Sequence, residues 1–139
     1  MGVKYLLDTN ILSELCKNEP SSNVVKLVER YSDRCTTASL VIHEINFGIN
    51  RLPKSALKRD LQLFLKQIEN YQFIVLPYDN LSAIHHAKER ARLSKAGLTP
   101  SFVDGQIASI AIVNNLTIVT RNISDFKYFE NLEIENWFE

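Results

Sequence analysis

The stretch "KYLLDTNIL", residues 4–12, places an acid directly behind an apolar run and follows it with two short polar side chains. Residues 3–7 favour a strand, and residues 9–16 can continue as a helix. Aspartate at such a junction is a preferred helix cap, so capping alone can account for Asp8. The stretch therefore predicts a strand followed by a helix, with Asp8 at the carboxyl end of the strand.

The same alternation continues along the whole chain. Short apolar runs at 3–7, 35–38, 73–76 and 117–120 predict strands. Helical periodicity predicts helices over roughly 9–17, 21–31, 39–51, 54–70, 79–96 and 102–114. Because parallel strands need crossover helices, we expect an α/β fold with a mostly parallel central sheet sandwiched between helices. In such sheets ligands bind beyond the carboxyl ends of the strands, where Asp8 is expected.

Size and charge limit the choice of function. A chain of 139 residues with 45% hydrophobic content and no internal repeat or linker predicts one domain over residues 1–139. The 16 basic and 16 acidic residues cancel, so any nucleic-acid surface must come from local segregation of charge. Basic residues concentrate in 51–66 and 88–95, and these two segments are either phosphate contacts or ordinary solvated helix faces.

Two cysteines and three histidines form neither a disulfide framework nor a zinc-like spacing, which is typical of a reducing compartment. The sequence also contains no secretion signal and no apolar run of membrane-spanning length. We therefore expect a cytoplasmic protein.

Two further acids stand on predicted helices, and each has an ordinary structural explanation. Glu44 interrupts the apolar helix "SLVIHEINFGIN", where it either leans out to solvent or is neutralised by His43 or an arginine. Asp104 lies in "TPSFVDGQIASIAIV", and its spacing from Ser101 is that of a capping box. Taken one at a time, neither acid requires a chemical role.

Asp125 follows the predicted strand that ends near Thr120 and can cap a short turn. These separate explanations do not account for the shared location of the four acids. Each acid either follows a strand end or flanks the beginning of a helix, and all four are expected at the same edge of the sheet. Clustered carboxylates repel one another unless a cation is present. Oxygen ligands without histidine or cysteine favour magnesium or manganese over zinc, and the natural reaction of such a site is hydrolysis of a nucleic-acid backbone.

At these residues the chain resembles a PIN-domain ribonuclease, and specifically the VapC/FitB-like toxins of type II toxin–antitoxin pairs. The resemblance covers nearly the full length through four ordered segments, "LLDTNIL", "ASLVIHEINFGI", "DGQIASIAI" and "IVTRNISDF". It implies a single PIN-like domain that acts as a Mg²⁺- or Mn²⁺-dependent endoribonuclease on RNA, with structured RNA such as transfer RNA as the expected substrate.

The resemblance also implies roles for individual residues. Asp8 and Asp104 would be the foremost direct metal ligands. The full acidic quartet would be Asp8, Glu44, Asp104 and Asp125. The polar residues that would orient these carboxylates are Thr9, Asn10, Thr120 and Asn122.

The partners implied by the resemblance are a second copy of the chain and a cognate VapB-type antitoxin. The antitoxin would lay an apolar helix in a groove and direct a basic side chain toward the acids. Two alternatives remain open from the residues alone. One is a non-catalytic RNA- or protein-binding module on the same fold. The other is a phosphatase or phosphotransferase with an aspartyl nucleophile, for which "LLDTN" lacks a second acid two residues on.

Overall fold

A computed structural model of the chain describes residues 2–70 and 73–139. The described strands are β1 Tyr5–Leu7, β2 Cys35–Ala38, β3 Ile74–Leu76, β4 Thr117–Val119 and β5 Ile134–Glu135. The described helices are α1 Thr9–Leu15, α2 Ser22–Arg30, α3 Ser39–Asn50, α4 Ala56–Asn70, α5 Asn80–Lys95, α6 Phe102–Val113 and α7 Ile123–Phe126, with a 3₁₀ turn at Ser32–Arg34. The strands form one sheet in the order β3-β2-β1-β4-β5, and all described strand pairs are parallel.

The α/β class predicted from the sequence is confirmed, and each predicted strand and helix has a counterpart. Most observed elements are one or two residues shorter than predicted, while β2 has its predicted bounds. The two-residue strand β5, the 3₁₀ turn and the four-residue helix α7 were not predicted, because elements this short carry no periodicity. At α7 the sequence predicted only a turn. The predicted domain range also includes Met1, Tyr71 and Gln72, which lie outside the described residues.

The central strand β1 explains why the opening stretch is apolar on both faces. Tyr5, Leu6 and Leu7 are all buried, and β1 lies between β2 and β4 with helices packed against the sheet. A parallel strand covered on both sides reads as a continuous apolar run rather than an alternating one. Among the described residues, no helix is both long and apolar enough to cross a bilayer.

The strand order places the candidate site. From β1 the chain first adds β2 and β3 on one side and then returns to add β4 and β5 on the other. The carboxyl ends of β1 and β4 are therefore neighbours, with Leu7 in register with Val119. In open parallel sheets this reversal of direction creates a crevice in which ligands bind.

Candidate acidic active site

Asp8 follows β1 at this crevice and is only 7% exposed. Its backbone N–H donates to the carbonyl of Val119 (3.0 Å), which ties it to the end of β4. Asp8 occupies the N-cap position of α1, but its side chain makes no capping hydrogen bond. Instead, Oδ2 accepts from Thr120 Oγ1 (2.9 Å) and from Asn10 Nδ2 (3.3 Å). Helix capping therefore does not explain this acid.

Thr120 and Asn10 join the beginning of α1 to the loop after β4. Asn10 Nδ2 also donates to Thr120 Oγ1 (3.2 Å), and Asn10 Oδ1 accepts from the backbone N–H of Arg121 (3.0 Å). The Thr120 oxygen accepts as well from the backbone N–H of Asn122 (3.0 Å). The buried Thr120 hydroxyl is thus held by two donors while it donates to Asp8, so its direction is fixed.

Glu44 projects from α3, and its carboxylate oxygen Oε2 accepts a hydrogen bond from Thr9 Oγ1 (2.7 Å). The side chain is half-buried. Among the described residues no basic nitrogen lies within ion-pair distance of it, and the exposed His43 ring stacks on Phe47 instead. Neutralisation by His43 or an arginine is therefore not observed for Glu44, which is instead hydrogen-bonded to Thr9.

Asp104 lies in the first turn of α6 and is half-buried. Ser101 Oγ accepts from the Asp104 backbone N–H (3.1 Å), so the capping contact predicted from the sequence is present. Asp125 lies in α7, is exposed, and donates its backbone N–H to the carbonyl of Asn122 (3.1 Å). Within the described part of the chain, Asn122 enters the network through its backbone alone.

Each of the four carboxylates lies within electrostatic range of at least one other, and Asp104 interacts with the other three. Burial raises the pKa of Asp8, and the charges of Asp104 and Glu44 raise it further, against hydrogen bonds from the Thr9 backbone N–H and the Thr120 hydroxyl. Burial also raises the pKa of Asp104, with added repulsion from Asp125 and Glu44. Carboxyl pKa values rise in this way when burial is not compensated by a nearby cation. The edge of the sheet is therefore a site of concentrated and poorly compensated negative charge.

These residues match the donor chemistry of a hard divalent cation, because they offer only carboxylate, hydroxyl and amide oxygens. Within 2–70 and 73–139, however, no three carboxylate, histidine or cysteine side chains are spaced to hold one ion together. Glu44 is held by Thr9, and Asp8 by Thr120. Mg²⁺ is commonly bound by one or two carboxylates and keeps several waters, which this arrangement allows.

The two basic segments differ in how free their charges are. Lys54 and Arg59 are exposed at the beginning of α4 and line a shallow open depression together with Lys58. On α5, Arg92 is bound to Glu89 and to the carbonyl of Tyr128. Lys88 and Lys95 on α5 are also exposed, so the α4 segment is preferred because three of its basic residues line one depression.

An apolar groove of about 650 Å³ separates α1, α2 and α4. Apolar side chains of α2 and α4 line its two sides. Its apolar lining residues are Leu12, Leu15, Pro20, Val25, Val28, Phe64, Ile68 and Phe73. Sequence analysis did not locate the groove, because it depends on how three helices separated along the chain pack together.

Comparison with known proteins agrees with this fold. The PIN domain family matches residues 5–131. Ribonuclease VapC2 of Rickettsia felis is 31% identical over 136 residues, spanning 96% of this chain and 97% of that protein. The tRNA(fMet)-specific endonuclease VapC of Shigella flexneri is 30% identical, spanning 97% and 98%.

Solved structures give the same result. VapBC2 from Rickettsia felis bound to a fragment of promoter DNA superimposes with a TM-score of 0.83 at 29% identity over 99% of both chains. DNA-bound VapBC from Salmonella typhimurium gives 0.85 at 27% identity over 97% of this chain and 98% of that one. The chain therefore belongs to the PIN domain family and, within it, to the VapC ribonucleases, which confirms the family predicted from the four sequence segments.

Proposed function

We propose that this protein is a Mg²⁺- or Mn²⁺-dependent endoribonuclease and the toxin of a type II toxin–antitoxin pair. The observation that carries the proposal is Asp8, a buried carboxylate with only neutral hydrogen-bond donors and with Asp104 and Glu44 close enough to raise its pKa. Burying such a charge is costly unless it is paired. A divalent cation bound beside Asp8 would supply the missing positive charge. The solved relative VapBC2 of Rickettsia felis shares the fold that places Asp8 there.

Asp8 and Asp104 would hold the ion directly, with Glu44 and Asp125 completing the acidic surroundings. When bound, a divalent ion lowers the pKa of a water and stabilises charge on the leaving oxygen of a phosphodiester. The residues of this chain orient the carboxylates for that task. Thr120 and Asn10 fix the Asp8 carboxylate, and Thr9 fixes that of Glu44.

Structured RNA such as transfer RNA is the proposed substrate. The Shigella flexneri relative carries the name tRNA(fMet)-specific endonuclease, and its 30% identity over nearly the whole chain supports this class of substrate. The exposed basic residues at the beginning of α4 would contact phosphates, so that binding weakens as salt rises. The protein would act in the cytoplasm, where such RNA is found.

The proposed partners are a VapB-type antitoxin and a second copy of this chain. The solved relatives VapBC2 of Rickettsia felis and VapBC of Salmonella typhimurium support the antitoxin. The groove between α1, α2 and α4 would receive an apolar helix of the antitoxin, and a basic side chain would extend toward the acids. A fully inhibited complex with no antitoxin segment near Asp8 would refute this inhibition route.

Purified protein incubated with transfer RNA tests the catalytic proposal. We expect cleavage with Mg²⁺ or Mn²⁺, none with EDTA, and discrete RNA ends when the products are sequenced. RNA binding without metal-dependent cleavage by the wild type would instead support the non-catalytic module. A covalent phospho-intermediate on Asp8 would support a phosphotransferase.

A further inference from the structure

His86 is a buried residue on α5 that the proposed chemistry does not use. Its side chain is 2% exposed, and Nδ1 lies 2.9 Å from the hydroxyl of Tyr78. The other ring nitrogen, Nε2, is buried and has no hydrogen-bond partner among the described residues. Buried polar atoms are rarely left without a partner, so the position of this ring needs an explanation. Hydrogen bonding at Nε2 does not supply it, because that atom has no partner in the part of the chain that the structure describes.

Nε2 faces the backbone of Gly105 on α6. A Cβ atom added at Gly105 would lie 2.3 Å from His86 Nε2 and 2.7 Å from Cδ2, closer than real Cβ contacts. The backbone of Gly105 is not in the left-handed region that favours glycine, and glycine inside a helix is less favourable than alanine. Glycine at this position therefore provides space for the imidazole ring.

The same face of α5 also contacts Phe102 and Pro100, which precede Gly105 in the chain. The His86 ring packs against Phe102 with centroids 4.8 Å apart. The Arg90 guanidinium lies 5.2 Å from the Phe102 centroid, and its Nη1 donates to the carbonyl of Pro100 (3.2 Å). These contacts lie on both sides of Asp104, whose backbone is held in the first turn of α6 by Ser101.

We propose that His86 is a positioning residue, whose ring sets the separation between α5 and the first turn of α6 and thereby places the Asp104 carboxylate relative to Asp8. This role rests on the proposed function, since Asp104 is one of the proposed metal ligands. The ring acts through Gly105 and Phe102, and its volume is the property that matters.

Compensating substitutions test this role. In Gly105→Ala the new methyl group meets the ring and displaces the first turn of α6. In the double variant Gly105→Ala with His86→Ala, the methyl group enters space vacated by the ring. The measurements are kcat and KM for RNA cleavage, Mn²⁺ affinity by electron paramagnetic resonance, and the thermal unfolding midpoint.

We expect Gly105→Ala to lower both kcat and Mn²⁺ affinity by about tenfold or more, with KM for RNA within about twofold. The double variant should regain at least about threefold of each loss, because the two sites are in contact and their effects are not additive. His86→Ala alone should lose Mn²⁺ affinity, whereas His86→Phe, which keeps an aromatic ring at this position, should retain most of it.

His85→Ala is the matched control, because His85 also reaches α6 but through Ser109 (3.2 Å), one turn beyond Gly105. Its Mn²⁺ affinity and kcat should stay within about twofold of wild type. If Gly105→Ala fails to fold, the contrast between His86→Ala and His86→Phe carries the test.

Three results would overturn the positioning role: a double variant no better than Gly105→Ala, equal losses in His85→Ala and His86→Ala, or equal losses in His86→Phe and His86→Ala. Wild-type protein that neither binds Mn²⁺ nor cleaves RNA would overturn the proposed function and this role with it. If the wild-type protein binds Mn²⁺ and cleaves RNA, and the Gly105 and His86 variants do so equally well, the positioning role alone would be overturned.

Discussion

Asp8 and Glu89 are buried to nearly the same extent, 7% and 6% exposed, but their surroundings differ. Glu89 accepts from Arg92 Nε (2.7 Å) and Nη2 (3.0 Å) and from the backbone N–H of Glu130 (3.0 Å). Hydrogen bonding to Arg92 holds the pKa of Glu89 below its usual value. Asp8 has only neutral donors, and burial raises its pKa.

Glu14 repeats the pattern of Glu89. Its carboxylate lies 2.8 Å from Lys17 Nζ and accepts from the backbone N–H of Ser21 (2.8 Å), and its pKa is lowered. Two of the three buried acids in the described part of the chain thus have a protein cation, and Asp8 does not. This difference supports the proposal that Asp8 binds a cation, whereas the charges of Glu14 and Glu89 are already paired within the protein.

Activity should separate the two acids most strongly. Asp8→Asn should reduce metal-dependent RNA cleavage by roughly 100-fold or more, because it removes a proposed ligand. Glu89→Gln should leave kcat within about threefold of wild type when measured well below its unfolding temperature. The two rates and the RNA dissociation constants are measured side by side. An equal loss of cleavage rate in both variants would mean that substituting any buried acid impairs activity, and it would contradict a specific catalytic role for Asp8.

The hydroxyl that fixes Asp8 should matter next. Thr120→Val removes the donor to Asp8 with little change in volume, and we expect roughly a 10- to 100-fold loss of Mn²⁺ affinity or kcat. Thr117→Val is the control, since Thr117 is buried like Thr120 but lies on β4 and donates to Glu133. A loss in Thr117→Val as large as that in Thr120→Val would contradict a specific role for the hydrogen bond to Asp8.

Stability of the metal-free protein should respond to pH in opposite ways at the two acids. The raised pKa of Asp8 means that its contribution is fully present below the ordinary Asp value and is lost as pH rises through the raised pKa. The lowered pKa of Glu89 means that its contribution is present above the ordinary Glu value and is lost as pH falls through the lowered pKa.

Urea unfolding with EDTA between about pH 4 and pH 8 measures both effects. Asp8→Asn should become more stable than wild type as pH rises. Glu89→Gln should be less stable by roughly 1–3 kcal/mol near neutral pH, and this difference should shrink in acid. An Asp8→Asn variant that is less stable than wild type at neutral pH would mean that Asp8 is adequately paired within the protein.

The smallest expected effect lies at the basic surface of α4. Lys54→Gln should reduce the slope of log binding constant against log salt by about 0.7 to 0.9, the change expected when one lysine no longer neutralises a phosphate. Lys26→Gln on α2, outside the basic segment, should leave the slope unchanged. RNA binding by catalytically inactive Asp8→Asn measures both slopes without cleavage, and equal slopes for the two lysine variants would remove α4 from the proposed RNA surface.

Local features of this chain were predictable from the sequence, and contacts across the sheet were not. The Ser101 cap on Asp104 was predicted because the two residues are three apart. The bond between Thr9 and Glu44 spans 35 residues, and that between Thr120 and Asp8 spans 112. These contacts depend on the neighbouring positions of β1, β2 and β4, which short apolar runs do not specify.

The contact between His86 and Gly105 could not be predicted from sequence patterns either. Gly105 directly follows Asp104 in the sequence, but the ring that fills the space beside it belongs to a residue 19 positions earlier in the chain. Likewise, the charge of residues 88–95 suggested a phosphate surface, while Arg92 is largely committed to Glu89. Periodicity indicates which face of a helix is apolar, and only packing decides which charged side chains remain available.

Anomalous diffraction at the manganese edge, from crystals grown with Mn²⁺, tests the central claim most directly. We predict a peak within coordination distance of an Asp8 or Asp104 carboxylate oxygen at the carboxyl ends of β1 and β4, with Glu44 and Asp125 around it. The Asp8→Asn protein should show a weaker peak or none. Wild-type crystals with full Mn²⁺ present and no peak among these acids would contradict the account.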